Sequence, residues 1–271
     1  MRIVSLNLRY AHNADMNNQG VREPRIVNFV KSFRPDVIGV QECEPFWRER
    51  LIATIGQFRY VSAQSAVLVE DGISAFKNFI WYNSQNNELI DEGKIWLSET
   101  PDVPSQSFGS KSYISAGYAV LKNKTTGECV AYVNTHLHAF NQHRRIAELN
   151  VLKTKIKELD SKGYSVFIMG DFNDDENSDV YRSMTEELLD ARKTAKVSTE
   201  MNTFNSYESE GVIINDDEYL RIDYCFYNGN KTGDTINKFD VVDRWGDGYM
   251  SDHNALVIDI DAIKTQNSKQ Q

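Results

Sequence analysis

The stretch "GYAVLKNKTTGECVAYVNTHLH", residues 117–138, decides how the rest of the chain is interpreted. Two apolar runs flank the polar sequence "NKTTGE", which is the pattern of a β-hairpin. The second run ends in two histidines, and a helical pattern begins shortly after them. From 143 to 159, apolar side chains recur every three or four residues with charged residues between them. We therefore predict a hairpin followed by a long amphipathic helix.

The next apolar run, "YSVFIMGDFN" at residues 164–173, is again a strand pattern that ends in polar residues. Strands and helices alternate early in the chain, and strands dominate late. This order favours two sheets packed face to face with helices outside, rather than a doubly wound parallel sheet. The strands at 78–83 and 87–97 are expected to pair with each other. Other strands are predicted at 2–8, 35–42, 221–228, 237–243 and 254–262, and another helix at 23–33.

The composition is ordinary for a globular protein, with 271 residues, 41% hydrophobic and 25% charged. We expect one domain over 1–262 and a polar tail over 263–271, because no linker or repeat interrupts the chain. The net charge of −9 disfavours tight non-specific binding to nucleic acid. Apolar runs are too short to span a membrane, and no secretory signal is recognisable. Three widely spaced cysteines fit a reducing, cytoplasmic setting.

Six segments carry a carboxylate, an amide or a histidine at the end of a strand or just before one. Each has an ordinary explanation by itself, since asparagine is typical of turns and buried acids are usually ion-paired. Six coincidences explain the pattern less well than one shared site, because functional residues of sandwich proteins lie at strand ends. The residues are Asn7, Glu42, His136, Asp171 with Asn173, Asp223, and Asp252 with His253.

These residue types suit one kind of chemistry. Oxygen donors without cysteine favour a hard cation such as Mg²⁺ or Mn²⁺. An aspartate beside an asparagine could hold and deprotonate a water molecule, and a histidine paired with a buried aspartate could carry positive charge. Together they supply what hydrolysis of a phosphate ester needs. No Walker-type glycine loop and no GxSxG motif is present, which disfavours nucleotide-driven chemistry and serine hydrolysis.

The same segments resemble the motifs of the endonuclease/exonuclease/phosphatase superfamily. They are "SLNLRY", "VIGVQE", "VNTHLH", "IMGDFN", "RIDYCF" and "SDHNALV", in family order over residues 5–257. The segment "GKIWLSETPDVPSQSFGS", residues 93–110, is similar to a stretch of the bacterial and deadenylase-like branch. The resemblance implies a DNase I-like, four-layer α/β sandwich, in which helices flank two packed, mostly antiparallel sheets. It also implies an active site at one edge of the sheets.

The resemblance implies a metal site and a phosphate contact. Glu42 is expected to be the main ligand of Mg²⁺ or Mn²⁺, and Asn7 is expected to support the metal and the substrate phosphate. Asp252 is expected to be a neighbour of the metal. His136 is expected to contact the scissile phosphate. These expectations make the strand-end asparagine of the first segment part of the active site rather than a turn former.

The resemblance also implies the groups that handle water and protons. Asp171 is expected to orient or activate the attacking water, with Asn173 beside it. His253, held by Asp223, is expected to stabilise the phosphoryl transition state or to act as general acid/base. The expected reaction is in-line attack on phosphorus with P–O cleavage and no covalent enzyme intermediate.

Three other residues are weaker candidates for substrate contact. Arg144 or Arg145, at the start of the long helix, could reach the site, since the branch often has an arginine there. Exposure on the helix surface explains either arginine equally well. Tyr82 could line the pocket, and packing in the core or at the rim explains it equally well.

Two departures from the family pattern concern the substrate. Many relatives carry a Gly-Glu pair where this chain has "SAFKN", residues 74–78, so that acidic partner of the first histidine is missing. Relatives of the branch often carry an arginine where this chain has "KSYISAG", residues 111–117. These losses leave the expected metal site intact and leave the identity of the substrate open.

Several functions remain possible at this point. A nuclease would want a basic groove, whereas a small-molecule phosphatase or phosphodiesterase fits the net charge better. A non-catalytic binding module with the same fold would be expected to have lost catalytic positions, and all of them are present. We expect a metal-dependent phosphoesterase. Its substrate is a phosphate ester, and nucleic acid is one of the candidates. No membrane and no obligate protein partner is expected.

Overall fold

The computed structural model describes residues 1–10, 17–62, 78–207, 221–229 and 235–261. The predicted tail at 263–271 lies outside these ranges. The helices are α1 (Gln19–Phe33), α2 (Pro45–Thr54), α3 (Gln142–Ser161), α4 (Asp179–Thr185) and α5 (Ala191–Thr194). The strands are β1 (Arg2–Asn7), β2 (Val37–Gln41), β3 (Phe58–Ser62), β4 (Phe79–Asn83), β5 (Asn87–Trp96), β6 (Ser115–Asn123), β7 (Cys129–His136), β8 (Ser165–Asp171), β9 (Leu189–Asp190), β10 (Val197–Ser198), β11 (Asp223–Tyr227), β12 (Ile236–Val242), β13 (Arg244–Trp245), β14 (Gly248–Tyr249) and β15 (Ala255–Ile260).

Most of these strands form two mixed sheets. The seven-stranded sheet has the order β10-β12-β15-β1-β2-β4-β3, and the six-stranded sheet has the order β5-β6-β7-β8-β11-β9. Three pairs are parallel: β1 with β2, β7 with β8, and β10 with β12. The other pairs are antiparallel, so the expectation of mostly antiparallel sheets is confirmed.

Alternating side chains explain the four layers. Ile3 of β1 and Phe167 of β8 belong to the buried group between the sheets. Their neighbours Val4 and Ile168 belong to two other groups, on the outer faces of the sheets. Successive residues of a strand face opposite sides, so each strand can contribute to two cores. Helices α1 and α2 cover the seven-stranded sheet, and α3 and α4 cover the six-stranded sheet.

The predicted hairpin and long helix are confirmed. Strands β6 and β7 pair antiparallel around the 123–128 turn, and α3 follows. The earlier helix begins four residues before its predicted start, because the Asn18 side chain accepts hydrogen bonds from the backbone N–H groups of Gly20 and Val21. Side-chain capping of this kind fixes where a helix begins.

The predicted pairing of 78–83 with 87–97 is wrong. Strand β4 pairs with β2 and β3, whereas β5 pairs with β6 in the other sheet. The turn at 84–86 therefore carries the chain from one sheet to the other. The two segments have the spacing of a hairpin, and the alternation of their side chains identifies them as strands without identifying their partners.

Strand register brings the polar strand ends together. In the six-stranded sheet, His136 lies opposite Asp171, which lies opposite Asp223 on the next strand. In the seven-stranded sheet, Asn7 lies opposite Gln41, the residue before Glu42. Because the sheets are stacked, these two rows of residues meet at one edge of the sandwich.

Gly170 permits the close approach of two strands directly before Asp171. Its φ is +144°, and a Cβ at this position would lie 2.0 Å from the carbonyl oxygen of Thr135 on β7. That oxygen belongs to the backbone of a paired strand, so it cannot move aside as a flexible side chain can. The backbone here requires glycine.

Replacing Gly170 by Ala should lower the free energy of unfolding by about 4 kcal/mol or more, through backbone strain and a clash with the neighbouring strand. The measurement is urea unfolding followed by circular dichroism. The matched control is Gly127→Ala, where φ is +77° but a Cβ meets nothing within 4 Å. That variant should lose only about 1–2 kcal/mol. Equal losses in the two variants would contradict the proposed clash.

Candidate active site

The carboxylate of Asp171 lies at the centre of the cluster of strand-end residues. It ends β8 and is 1% exposed. Its Oδ2 accepts a hydrogen bond from Asn7 Nδ2 at 3.1 Å and lies 3.4 Å from His136 Nε2. Its Oδ1 accepts from the backbone N–H of Asn173 at 2.9 Å. Because Asn7 belongs to one sheet and His136 to the other, Asp171 joins the two sheets at the site.

Glu42 lies beside Asn7 and directly follows β2. Asn7 Nδ2 donates to Glu42 Oε1 at 3.2 Å, and the backbone N–H of Tyr10 donates to Oε2 at 2.8 Å. Within the described chain, no lysine or arginine lies within ion-pair distance of this half-buried carboxylate. Glu42 has a φ of +54°, a strained value for a residue with a side chain. Strain of this kind is often found at functional sites.

His253 and Asp223 form a buried pair. His253 Nδ1 lies 2.9 Å from Asp223 Oδ2, and His253 Nε2 lies 3.7 Å from Asp171 Oδ2. The ring of Phe204 packs edge-on against His253, with 5.0 Å between centroids. The hydroxyl of Thr203 accepts from the backbone N–H of Asp223 at 3.0 Å. The segment that follows β10 therefore contacts both members of the pair, Phe204 at His253 and Thr203 at Asp223.

The pair shares a proton that we assign to His253. Burial raises the pKa of Asp223, and the charge of Asp171 raises it further. Burial alone would lower the pKa of His253, but attraction by Asp223 and Asp171 outweighs it and holds the pKa well above 6.5. Imidazole is the stronger base of the two groups. An imidazolium thus faces Asp171 at neutral pH, with its Nδ1–H donating to Asp223.

Asp252 completes the acidic groups. Its Oδ1 accepts a hydrogen bond from Ser251 Oγ at 3.1 Å, and its Oδ2 lies 3.7 Å from Arg9 Nε. The carbonyl of Asp252 accepts from the backbone N–H of Asn205 at 2.8 Å, which anchors the loop. Arg9 was not recognised in the sequence, although it lies within the quoted motif "SLNLRY".

Asn173 makes hydrogen bonds both to the backbone of a neighbouring loop and to the carboxylate of Asp171. Its side-chain Nδ2 donates to the carbonyl of Leu137 at 2.8 Å, while its N–H binds Asp171. Its φ of +52° is a conformation that asparagine tolerates better than most residues. Asn173 thus links the loop after β7 to the loop after β8.

Arg145 and Arg144 hold loops. The buried Arg145 Nε donates to Asp174 Oδ2 at 3.0 Å, and its Nη1 donates to the carbonyls of His138 and Ala139. Arg144 Nε donates to the carbonyl of Phe108 at 3.1 Å, and its Nη1 lies 3.0 Å from His138 Nε2. Both arginines therefore act on the loop that follows His136.

Tyr82 is not brought to the site, which corrects the expectation that it lines the pocket. Its register partner is Val37, at the start of β2, whereas Glu42 follows the end of that strand. Five residues of strand correspond to about 16 Å. Tyr82 is instead part of the core between the sheets. The sequence pattern "NFIWYN" shows a strand but not which of its ends lies near the site.

The charges of the cluster suit a divalent cation. Glu42, Asp171, Asp223 and Asp252 are four carboxylates, and the basic side chains found against them among the described residues are Arg9, His136 and His253. Excess negative charge on oxygen donors is what a hard cation needs. Asp171, Asp223 and His253 place one ligand atom each within 4.8 Å of one another. A protonated histidine cannot bind a metal, so Glu42 and Asp252 suit the cation better.

A buried polar network lies beneath the cluster and was not recognised in the sequence. Asn134 Nδ2 donates to the carbonyls of Val40 and Phe79, each at 2.8 Å, and so reaches across from β7 to the other sheet. Gln41 Nε2 returns a hydrogen bond to Asn134 Oδ1 at 2.7 Å. The sequence feature that indicates this network is a polar residue inside each of the apolar runs "VIGVQE" and "VNTH".

The structure describes only part of the two segments that depart from the family pattern. Residues 74–77 lie outside the described part of the chain. Asn78, which follows them, is buried and donates through Nδ2 to the carbonyl of Ser115 at 2.8 Å. In this chain, the start of β6 thus supplies a backbone acceptor to a side chain of the other sheet.

The fold and the cluster at its edge are those of a DNase I-like α/β sandwich. The family model described as "Endonuclease/Exonuclease/phosphatase family" matches residues 5–253. The chain therefore belongs to this family, whose members are phosphoesterase hydrolases. No curated protein matches the sequence significantly. No described helix is long and apolar enough to cross a bilayer.

Solved structures share this fold over nearly their whole length. An endonuclease/exonuclease/phosphatase from Bacteroides vulgatus is 25% identical, with a TM-score of 0.85 over 97% of this chain and 98% of its own. A mannosyl-6-phosphatase from Bacteroides thetaiotaomicron is 23% identical, with a TM-score of 0.84 over 97% and 100%. D. rerio TDP2, complexed with a single-strand DNA product, is 16% identical, with a TM-score of 0.75 over 97% and 99%.

Glu148 on α3 generates a prediction about pH. It is 1% exposed, and its Oε2 accepts from the backbone N–H of His138 at 2.9 Å. Burial raises the pKa of Glu148 to about 7. Below pH 4.5 the carboxyl is neutral in the folded and in the unfolded protein. Between about pH 4.5 and 7 it ionises in the unfolded protein first, so the folded protein loses stability as the pH rises through this range. From pH 5 to pH 8, Glu148→Gln should gain about 2.5 kcal/mol relative to the unmodified protein.

The measurement is urea unfolding of metal-free protein at both pH values. The matched control is Glu158→Gln, the same change on the same helix. The lysines at 155 and 162 lower the pKa of Glu158, so that carboxylate stays ionised between pH 5 and 8. The control should show no change in relative stability over this range. A pH-independent effect of Glu148→Gln would contradict the raised pKa.

Proposed function

We propose that the protein is a Mg²⁺- or Mn²⁺-dependent phosphoesterase that uses water as its nucleophile. The observation that carries the proposal is the buried His253–Asp223 pair, whose Nε2 faces Asp171 at 3.7 Å. A proton-bearing imidazole beside a carboxylate is suited to stabilise a phosphoryl group and to activate water.

Glu42, Asn7 and Asp252 are proposed to hold the cation. Their oxygen donors match the preference of Mg²⁺ and Mn²⁺, and Asn7 joins this group to Asp171 through its Nδ2. When bound, the cation would neutralise phosphate oxygens and the charge that develops on them. The carboxylate of Glu42 is oriented for this task by Asn7 and by the backbone N–H of Tyr10.

The side chains of this protein are proposed to handle water and protons. Asp171 orients a water molecule and accepts its proton, while Asn173 holds the Asp171 carboxylate through its N–H. His136 and His253 donate to non-bridging phosphate oxygens. The water oxygen bonds to phosphorus as the opposite P–O ester bond breaks, and the leaving oxygen takes up a proton. No covalent bond to the protein is formed.

The substrate is proposed to be a phosphomonoester or phosphodiester. The net charge of −9 favours a small molecule over a long nucleic acid. The likeness to a mannosyl-6-phosphatase makes a sugar phosphate one candidate, and the likeness to TDP2 makes a DNA end another. We propose the small phosphate ester first, because the charge of this chain itself favours it.

A reducing compartment, the cytoplasm, is proposed as the location. All three cysteines are free thiols, and Cys43 and Cys225 are buried. Burial raises the pKa of Cys225 above its ordinary value, which keeps the thiol protonated and unreactive.

The test is hydrolysis of p-nitrophenyl phosphate and bis-p-nitrophenyl phosphate with Mg²⁺ or Mn²⁺ and with EDTA. EDTA should abolish turnover, and His253→Ala should lower kcat by about 100-fold or more, since it removes the proton-bearing group. Glu42→Gln should raise the metal concentration needed for half-maximal rate. Circular dichroism checks that each variant is folded.

The matched control is His143→Ala, because His143 is an exposed histidine on α3. It should keep full activity. A non-catalytic binding module is the competing function: it predicts no turnover of either ester by folded protein that binds Mn²⁺. Turnover that survives EDTA or the His253 substitution would also contradict the proposed site.

A further inference from the structure

Arg9 is a second cation, besides the His253 imidazolium, in a site that contains four carboxylates. It follows the strand-end residue Asn7 by two positions, and its Nε lies 3.7 Å from Asp252 Oδ2. In the described ranges, it is the one lysine or arginine found in an ion pair with a residue of the predicted site. The distance exceeds hydrogen-bond length, so the contact is one of charge with charge. About a fifth of the Arg9 side chain is exposed (19%), so a solute can reach it.

The position of Arg9 is fixed by its backbone and by an aromatic ring. Its N–H donates to Asn7 Oδ1 at 2.9 Å, and its carbonyl accepts from Trp47 Nε1 at 3.0 Å. Its φ is +51°, which turns the chain out of the β1 direction. The guanidinium stacks on Tyr207, with 4.7 Å from Cζ to the ring centroid. A cation held this firmly is pre-organised for a ligand.

The position of Arg9 is unfavourable if the site binds only a metal cation. A divalent ion on Asp252 and a guanidinium beside the same carboxylate repel each other. An anion between the two removes that repulsion, and a phosphate group is the anion that the site is proposed to bind. The planar guanidinium also matches phosphate oxygens in geometry.

We propose that Arg9 is a specificity-determining residue that binds a terminal phosphate group, and that it selects phosphomonoesters over phosphodiesters. This rests on the proposed function. A monoester carries three non-bridging oxygens and close to two negative charges, whereas a diester carries two such oxygens and one charge. Glu42 and Asp252 would hold a cation that neutralises part of this charge, and His136 and His253 would donate to two of the oxygens. The third is available to Arg9 only in a monoester.

The activity test compares Arg9→Met and Arg9→Lys with the unmodified protein. Arg9→Met should lower kcat/KM for p-nitrophenyl phosphate by about 100-fold and for bis-p-nitrophenyl phosphate by less than about 5-fold. Arg9→Lys keeps the charge without the planar fork, so it should lose about 10-fold on the monoester.

The matched control is Arg2→Met, at the start of β1, the strand that ends two residues before Arg9. Arg2 also pairs with a carboxylate, Asp259, and also stacks on an aromatic ring, that of Phe33. It should keep the monoester activity of the unmodified protein. A loss in both variants would indicate damage to β1 rather than a role for Arg9.

A second readout measures binding without turnover. In calorimetry with Mg²⁺ present, the Kd of inorganic phosphate should rise at least about 10-fold in Arg9→Met and stay unchanged in Arg2→Met. The Kd of Mn²⁺, measured without phosphate, should stay unchanged or fall in Arg9→Met, because a repelling cation has been removed. A merely structural role would weaken Mn²⁺ binding instead.

The outcomes separate the two proposals. Phosphate affinity that is unchanged in Arg9→Met, absent in the unmodified protein, or lost together with Mn²⁺ affinity overturns the role of Arg9. Equal losses on monoester and diester overturn the selectivity. If the unmodified protein hydrolyses neither ester, the proposed function fails, and the phosphate titration still decides whether Arg9 binds phosphate.

Discussion

The buried carboxylate of Asp171 is the group on which the arrangement of the site depends. A charge in a protein interior is costly unless it is hydrogen-bonded and balanced by opposite charge. Asp171 meets this condition because Asn7 reaches it from one sheet, His136 and Asn173 reach it from the other, and the His253 imidazolium lies 3.7 Å away. The geometry of the site therefore depends on how the two sheets pack against each other. A shift of one sheet against the other would break the hydrogen bond from Asn7 to this carboxylate.

The polar network beneath Asp171 keeps the two sheets in that relation. Apolar contacts between sheets are non-directional, so they set the distance between layers better than the offset along the strands. Asn134 is directional: it donates to carbonyls of β2 and β4 from β7 and accepts from Gln41. Each of these groups is fully buried, so an offset would leave donors unsatisfied. The network thus fixes the offset that places Asn7 and Asp171 within hydrogen-bond distance.

Much of this could be predicted from the sequence, for a physical reason. Apolar runs identify strands, and a polar residue that ends a run is conspicuous, so Asp171, His136 and Asn7 were recognisable. Partner choice is decided by tertiary packing, which explains why the predicted pairing of 78–83 with 87–97 is wrong and why the sequence left open whether Tyr82 lines the pocket or packs in the core. The resemblance to the family supplied the expected roles of the site residues, which the pattern alone could not. Arg9 escaped notice because nothing in "SLNLRY" shows that its side chain turns towards Asp252.

The charge balance of the site explains how an acidic protein can bind an anion. The chain as a whole repels phosphate, but a substrate responds to the field inside the cleft, where a few fixed charges dominate. His253 keeps its proton because two carboxylates surround it, and Arg9 carries the permanent charge of a guanidinium. The same carboxylates that would repel a substrate therefore hold the cations that attract it. With a divalent ion on Glu42 and Asp252, positive charge would lie on several sides of the phosphate. The acidic residues would then bind the cations, and the cations would contact the phosphate.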